Sequence, residues 1–575
     1  MLLNSLIFFL KKTFQTHPKK FLSLIFLIIL DSIFVMTTFI AVVPFAEFLI
    51  DPTLVEPNKL TYHLKNIFRY LNLEINYLSL SIFLVSTIIF SSIITLIIIK
   101  QIYKIKFDYE LTLTKDLMNS ILNCKWKHLS RLKQGKILNI FTKEVDNVGN
   151  TIRGTAQIFA NFFKLLIYLF VPFYINSIFT LKVTAAFLII CIPFLYLNNY
   201  AKKIGLKRSL ATNQELDKRT ETYSALKLIL GFNLSKKIIK NNILLTLKVI
   251  EQSMKAVTLS YIVPLAFKPI AIIIILIIFG SSFNLNKIPE YVGIFWGLYG
   301  AIPIISALVG NTILASNFHT SLRQVEKVIN ECRSNVEANT GINFLKIKKE
   351  IKFEKVNFYH NKTNPILKDL SISIPKNQVT TFIGRTGEGK STIIDLILGL
   401  QKSNSGEIFF DDNLISNLNV KSLREAIGYV PQDPLLFNTS IRENIKWANQ
   451  EISDNEIFSL LNKINALDFV NKSKNKLDTL VGERGLKISG GQRQKIALAR
   501  ALAKKPEILI LDEGLSSIDT ESSNLISKYL REISKNMTII NVTHEISQCK
   551  YSDKIVLLEN KESKVFNDYS DIKFI

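Results

Sequence analysis

Six long apolar runs, at 21–49, 78–99, 156–177, 180–199, 257–283 and 291–315, limit what this chain can fold into. Each holds about 20 residues or more, and a helix of that length crosses the roughly 30 Å hydrocarbon core of a bilayer. Lipid offers no partner to an unpaired amide or carbonyl, so such runs are expected as membrane-spanning helices. A polar kink at Asn176 and Ser177 separates the third run from the fourth.

Charge sets the orientation. Residues 100–155 carry eleven Lys/Arg against five Asp/Glu, and residues 201–256 carry twelve against four. Residues 51–77 carry three of each, and 284–290 hold only Lys287 and Glu290. The two long basic loops are therefore cytoplasmic, and with an even number of spans so are both termini. Net charge is +24, but the basic residues collect in these loops, which favours a membrane protein and no nucleic-acid partner. Residues 1–20 place their lysines after an apolar stretch, which predicts an amphipathic helix on the cytoplasmic face and not a secretory signal. The spacing of Ile137, Ile140, Phe141 and Val145 predicts that the long loops are helical extensions of the spans joined by short turns.

A chain of 575 residues is too long for one core. Its composition changes near 340, from apolar runs to short strands, glycine loops and ordinary soluble helices. Four cysteines without paired spacing support neither a disulfide scaffold nor zinc.

Gly384–Thr392 reads GRTGEGKST, between a strand-like Val379–Ile383 and an apolar helix start at Ile393. Strand, glycine loop, Lys-Ser and helix is the context a phosphate-binding loop needs. Gly384, Gly387 and Gly389 let the backbone N–H groups, with those of Arg385, Thr386 and Thr392, wrap phosphate oxygens. Lys390 adds a point charge and the Ser391 hydroxyl suits Mg²⁺. Further on, Glu507–Glu513 reads EILILDE, a buried strand with two acids at its tip. Asp512 suits magnesium through water and Glu513 suits general-base work, although the same pattern also ends ordinary strands. Between them Ser489, Gly490, Gly491 and Gln492 open a helix, a second anion site. Two phosphate sites in one chain imply that one binds ATP in its own subunit and the other closes over ATP held by a partner.

These motifs, in this order, resemble those of an ABC exporter half-transporter, and the resemblance covers the chain. The Q-loop would be Tyr429-Val-Pro-Gln432, the signature Ile488–Gln492, the D-loop Ser516–Asp519, the switch histidine His544, and the X-loop Val481–Gly485. The resemblance implies that Gln432 contacts magnesium together with Ser391 and Asp512. It makes Glu513 the catalytic base, puts His544 on the γ-phosphate, and turns Ser489 and Gly491 to the partner's ATP. Asp519 belongs to the same nucleotide set. The family's adenine-stacking tyrosine falls at His360, beside Tyr359. Ile488 replaces Leu, Gly514-Leu515 replaces Ala-Thr, and Glu545 replaces Arg; none removes a catalytic group. ATP and Mg²⁺ are the implied cofactors, and a second copy of the chain the implied partner, a heterodimer being the alternative.

The expected fold is therefore an α-helical membrane domain over 1–335, a linker over 336–350, and an α/β P-loop ABC ATPase domain over 351–575. The resemblance puts force transmission at Thr142–Asp146 and Ala225–Phe232. Asp31 and Lys268 lie at similar depth in the first and fifth runs. They are expected either to pair, or to leave Lys268, with Lys164, facing a cavity for an anionic headgroup. Val42–Phe48, Asp51-Pro52 and the amphipathic Asn58–Leu71 resemble the bacterial lipid-linked oligosaccharide flippases, which place a short external helix there. That resemblance implies ATP-driven export of a glycolipid or lipid-linked oligosaccharide from a bacterial inner membrane. A peptide or multidrug exporter, and a membrane-anchored regulatory ATPase without transport, are the alternatives.

Overall fold

The computed structural model describes residues 18–50, 52, 59–70, 72–280, 288–337, 340–359 and 365–572, apart from the side chains of 183, 187–199, 202, 263, 264, 267, 268, 271, 278, 279, 289, 290 and 313–319. Residues 1–17 of the amphipathic helix expected over 1–20, and the side chain of Lys268, thus lie outside the described set. The chain divides into two compact units, Met1–Cys124 with Leu129–Asn335, and Lys125–His128 with Val336–Ile575.

The first unit is helical. Its long helices are α1 (Pro18–Ile50), α3 (Tyr77–Leu122), α5 (Gln134–Ile175), α6 (Ser177–Ser224), α8 (Ser235–Gly280) and α9 (Ile288–Ser334). Short helices α2 (Lys59–Tyr70), α4 (Trp126–Leu129) and α7 (Leu226–Gly231) come between them in sequence, and all of α4 but Leu129 groups with the second unit. One apolar stripe holds several of the long helices together. On α3 it runs Ile94, Ile98, Ile102, Ile105, Tyr109, Leu113 and Leu117, the spacing that keeps one helix face inward. It packs on Leu24 and Ile28 of α1, Ile140 and Val145 of α5, and Val325 and Ile329 of α9. Outer faces stay apolar too, with Phe26, Ile33, Ile82 and Leu96 exposed, as a lipid solvent requires.

Four stretches are long and apolar enough to cross a membrane among the described residues: Pro18–Ile50, Tyr77–Leu122, Gln134–Ile175 and Tyr291–Thr312. The expected fourth and fifth spans fall on α6 and α8, where many side chains lie outside the described set. The kink between the third and fourth runs is a helix boundary. Asn176 takes an extended conformation, and its side chain accepts the Phe179 N–H at 3.0 Å to cap α6. The amphipathic segment after α1 forms α2, which buries Leu64 and Phe68 against Phe45, Phe48, Leu80 and Phe83.

The reversals between the extensions differ from expectation in one place. The second lies at α7, inside Ala225–Phe232. The first lies at α4, and Thr142–Asp146 sits inside the continuous α5 instead. There Ile140–Glu144 forms a π turn, and the buried Glu144 accepts hydrogen bonds from Asn139 (3.0 Å) and the Ser209 hydroxyl. The apolar spacing around Ile140 carries the helix through this segment. The chain reverses earlier, where Lys125, Lys127, His128 and Arg131 interrupt the stripe.

In the second unit a six-stranded sheet has the order β10-β9-β3-β8-β7-β6, built from β3 (Val379–Gly384), β6 (Ile427–Val430), β7 (Ile508–Asp512), β8 (Thr538–Thr543), β9 (Lys554–Glu559) and β10 (Glu562–Phe566). All pairs are parallel except β9 with β10. β7 and β8 are buried along their whole length, and β7 reads Ile508-Leu-Ile-Leu511 without a polar break, as a strand covered on both faces must. An antiparallel sheet, β2-β1-β4-β5, joins β1 (Glu350–Tyr359), β2 (Pro365–Pro375), β4 (Ser405–Phe410) and β5 (Asn413–Leu414). The described residues of the expected linker pack into this unit: Phe344 and Ile347 are buried in its core, and Glu337 pairs with Arg424 at 2.6 Å.

Candidate nucleotide site

Parallel strands end on the same side of a sheet, so sheet order decides which loops meet. β3, β8, β7 and β6 are adjacent, with Ile383 opposite Thr543, Asp512 opposite Val542, and Val430 opposite Leu511. Their carboxyl ends deliver the phosphate loop, His544, Asp512-Glu513 and the Gln432 loop to one crevice, the usual ligand position in such sheets.

The phosphate loop leaves β3 at Gly384 and enters α10 (Lys390–Ile397). Gly387 and Gly389 take φ of +94° and +91°, a conformation that only glycine adopts without strain. A Cβ on Gly389 would come within 2.7 Å of Leu367. No side chain caps α10, which leaves its first-turn N–H groups to an anion. Lys390 is buried and its ammonium bonds the carbonyls of Gly384 (2.7 Å) and Arg385 (3.0 Å). Burial lowers its pKa, and the nearby Glu513 and Asp512 oppose that. Arg385, Thr386 and Ser391 are exposed and Thr392 is half-buried.

The Ser391 hydroxyl lies 3.4 Å from Asp512 Oδ1. Burial pushes the Asp512 carboxyl up to about 6. The Tyr429 hydroxyl also bonds Asp512, and its own pKa is raised, first by burial and then by that carboxylate. Glu513 sits at the strand tip with φ +49°, an unusual value for a residue with a Cβ, and its N–H bonds Val542 O at 2.8 Å. Its Oε2 accepts from Gln432 Nε2 at 2.7 Å and lies 3.5 Å from His544 Nδ1. A helix start, an ammonium, a hydroxyl and a carboxylate form the donor set that suits a nucleotide triphosphate with Mg²⁺. Ser391 and Asp512 would hold the ion, and Gln432 lies beside Glu513.

The signature segment lies elsewhere. Ser489 caps α11 (Gly490–Ala503) in a capping box with Gln492 (3.2 and 3.0 Å), and Ser489 is exposed. α11 packs in a separate apolar cluster, with Ile496 and Leu498 buried, whereas α10 packs in the cluster shared by the two sheets. Gly491 is tight against the D-loop, where a Cβ would meet Ser517 O at 2.8 Å. Asp519 caps α12 (Thr520–Ile533) by accepting the Ser522 N–H at 2.9 Å. Tyr359 ends β1 and is half-buried, while His360 lies outside the described residues.

Two residues gain importance only in three dimensions. Tyr429 was legible as part of the Q-loop but not as a partner of Asp512. Gln494 is buried and joins the catalytic strand end to the D-loop, donating to Glu513 O (3.2 Å) and accepting from Ser517 N (2.9 Å). Its place two residues past the signature is the one sequence signal that could have marked it.

Comparison with known proteins agrees with this geometry. Residues 367–516 match the ABC transporter family model. The heterocyst differentiation ATP-binding protein HepA of Nostoc is 26% identical over 467 residues, 80% of this chain and 76% of that protein. A Staphylococcus aureus protein whose name carries the words multidrug export ATP-binding/permease protein is 42% identical over 206 residues, 36% of each chain. In fold, the chain resembles a bacterial Atm1-family ABC exporter solved with ATP bound, with a TM-score of 0.78 at 19% identity, covering 97% of this chain and 96% of that one. Residues 367–516 thus carry an ABC transporter domain, joined to apolar helices in a chain whose fold is similar to that of the solved ABC exporter.

Proposed function

We propose that this chain works as a pair of copies and uses ATP hydrolysis to export an amphipathic glycolipid or lipid-linked oligosaccharide across a bacterial inner membrane, through six spans with both termini cytoplasmic. The convergence of Lys390, Asp512, Glu513, Gln432 and His544 at one sheet edge carries the ATPase reading. Lys390 exchanges its loop carbonyls for the outer phosphates. Mg²⁺, when bound at Ser391 and Asp512, neutralises phosphate charge. Glu513 accepts the proton of the attacking water, oriented by Gln432, while His544 holds the phosphoryl oxygens from the other side. The exposed start of α11, with Ser489 and the amides of Gly490, Gly491 and Gln492, closes over ATP on the second copy.

Coupling is assigned to the short helices α4 and α7. Their place at the two reversals of the long helices supports this. The glycolipid reading draws on α2, the short helix that follows the first span, and on the hydroxyl- and amide-lined cavity described next.

The test is ATP hydrolysis and transport by the full chain in lipid vesicles. Wild type should hydrolyse ATP, respond to polyprenyl-linked glycans or glycolipids, and move them outward. Stimulation by peptides or drugs alone would replace the substrate, and ligand-stimulated hydrolysis with no movement of any ligand would replace export by the regulatory-ATPase alternative.

A further inference from the structure

The helical unit encloses a cavity of about 670 Å³ reached by α1, α3, α5, α8 and α9. Much of its wall is aliphatic, from residues such as Ile28, Ile98 and Val257. The polar part is neutral, with the amides of Gln157, Asn161 and Asn311 and the hydroxyls of Ser260 and Tyr261. Among the described residues that line it, two carry charge, Asp31 and Lys164.

Those two charges neutralise each other. Lys164 Nζ lies 2.8 Å from Asp31 Oδ2. The Asp31 side chain is 7% exposed and that of Lys164 20%. Two hydroxyls of α3 complete the cluster. Ser91 donates to Asp31 at 3.0 Å and Thr95 donates at 3.3 Å. Lys164 donates to the Thr95 oxygen at 3.1 Å, so one hydroxyl accepts from the cation and gives its proton to the anion. Asp31 is thus held by Lys164, while the expected pairing with Lys268 falls on a side chain outside the described residues.

A buried charge that loses its partner is strongly penalised. An anionic headgroup gains Lys164 only by drawing it off Asp31, which strands a carboxylate in an apolar wall. A cationic headgroup meets the mirror-image penalty. A neutral hydroxyl-rich headgroup meets neither, and finds amides and hydroxyls beside an aliphatic surface suited to a lipid tail.

We infer that the Asp31–Lys164 pair is the charge-selecting element of this cavity, setting it to accept amphiphiles with uncharged, hydroxyl-rich headgroups and to exclude singly charged ones. This deepens the proposed function and rests on it for its consequence in transport. Its consequence for binding stands apart.

The full chain in lipid nanodiscs would be titrated with three fluorescent amphiphiles sharing one alkyl tail, with glucosyl, phosphate or trimethylammonium heads. Wild type should bind the glucoside most tightly. Asp31→Asn frees Lys164 and should tighten the phosphate amphiphile by at least about tenfold, the equivalent of about 1.4 kcal/mol. Lys164→Gln should do the same for the trimethylammonium amphiphile. The double variant Asp31→Asn/Lys164→Gln leaves no stranded charge and should restore the wild-type order, so the inference stays testable even where a single variant folds poorly. A wild type that prefers the phosphate, or a double variant whose order differs from wild type, overturns the inference; so do folded single variants that keep the wild-type order. ATP hydrolysis and vesicle transport on the same preparations test export separately. If the amphiphiles bind but none stimulates hydrolysis or crosses, export falls while the binding order still decides the role of the pair.

Discussion

The side-chain amide of Gln432 donates a 2.7 Å hydrogen bond to Glu513 Oε2, and His544 Nδ1 lies 3.5 Å from the same oxygen. These residues come from the loops after three neighbouring strands, and 81 positions separate the hydrogen-bonded pair. One carboxylate oxygen is thus approached by the two side chains best placed to orient it.

Glu513→Gln keeps the shape of this cluster and removes the base. ATP turnover should fall by about 100-fold or more, the range for a lost general base, while ATP still binds. Vesicle-reconstituted enzyme assayed for phosphate release, with nucleotide binding measured in parallel, checks this. Turnover within a few-fold of wild type would move the base to another residue.

Asp512, pushed up to about 6 by burial, should make magnesium binding compete with protons. A raised carboxyl is held neutral longer in the fold, so its contribution to stability is fully present below the ordinary carboxylate range and is lost as pH rises through about 6. The ionised form needed for Mg²⁺ dominates only above that pH. Half-saturating Mg²⁺ should therefore rise steeply between pH 6.5 and 5.5, values on either side of that pKa, and change little between pH 7 and 8. A magnesium titration of ATP binding that is flat across the whole series would show that Asp512 does not govern the ion.

Cys332 and Cys549 are fully buried, and burial pushes both thiols up to about 12. At pH 8 roughly one molecule in ten thousand carries a thiolate at either site. Neither should react with maleimide in the native protein, and both should react after denaturation. Peptide mapping of labelled protein reads this directly, and fast native labelling at Cys549 would contradict its burial.

Asp519 acts here as a helix cap, with its carboxylate on the Ser522 N–H. That bond holds the carboxyl below the usual range, so its stabilisation is present above the ordinary carboxylate pKa and fades as pH falls through the lowered value. Asp519→Ala should cost about 1 kcal/mol, and Asp519→Asn only a few tenths, because asparagine also caps. Thermal unfolding of the full chain distinguishes them. Equal loss in both variants would mean that the charge matters more than the cap.

Much of the ATP site was legible because its chemistry is local. Gly387, Gly389, Lys390 and Ser391 act within one loop, whose conformation follows from glycines that tolerate positive φ. The Ser489–Gln492 capping box is likewise a four-residue device. Tyr429 and Gln494 were not legible as partners of Asp512 and Glu513, because those contacts cross between elements. The first turn between the long helices was misplaced at Thr142–Asp146 because apolar spacing marks a helix but not where its neighbours require the chain to reverse. The π turn there accommodates the buried Glu144 without ending α5.

By itself the sequence determined the division of the chain into apolar helices and an ATPase, since the length of an apolar run and the order of residues in a phosphate loop are properties of contiguous segments. Only the tertiary structure decided which charges meet. Asp31 is bonded by Lys164 of α5 and by two hydroxyls of α3, a meeting that spacing along α1 or α5 cannot express. Spacing fixes the face on which a residue lies. The rotation and crossing of packed helices fix what that face touches.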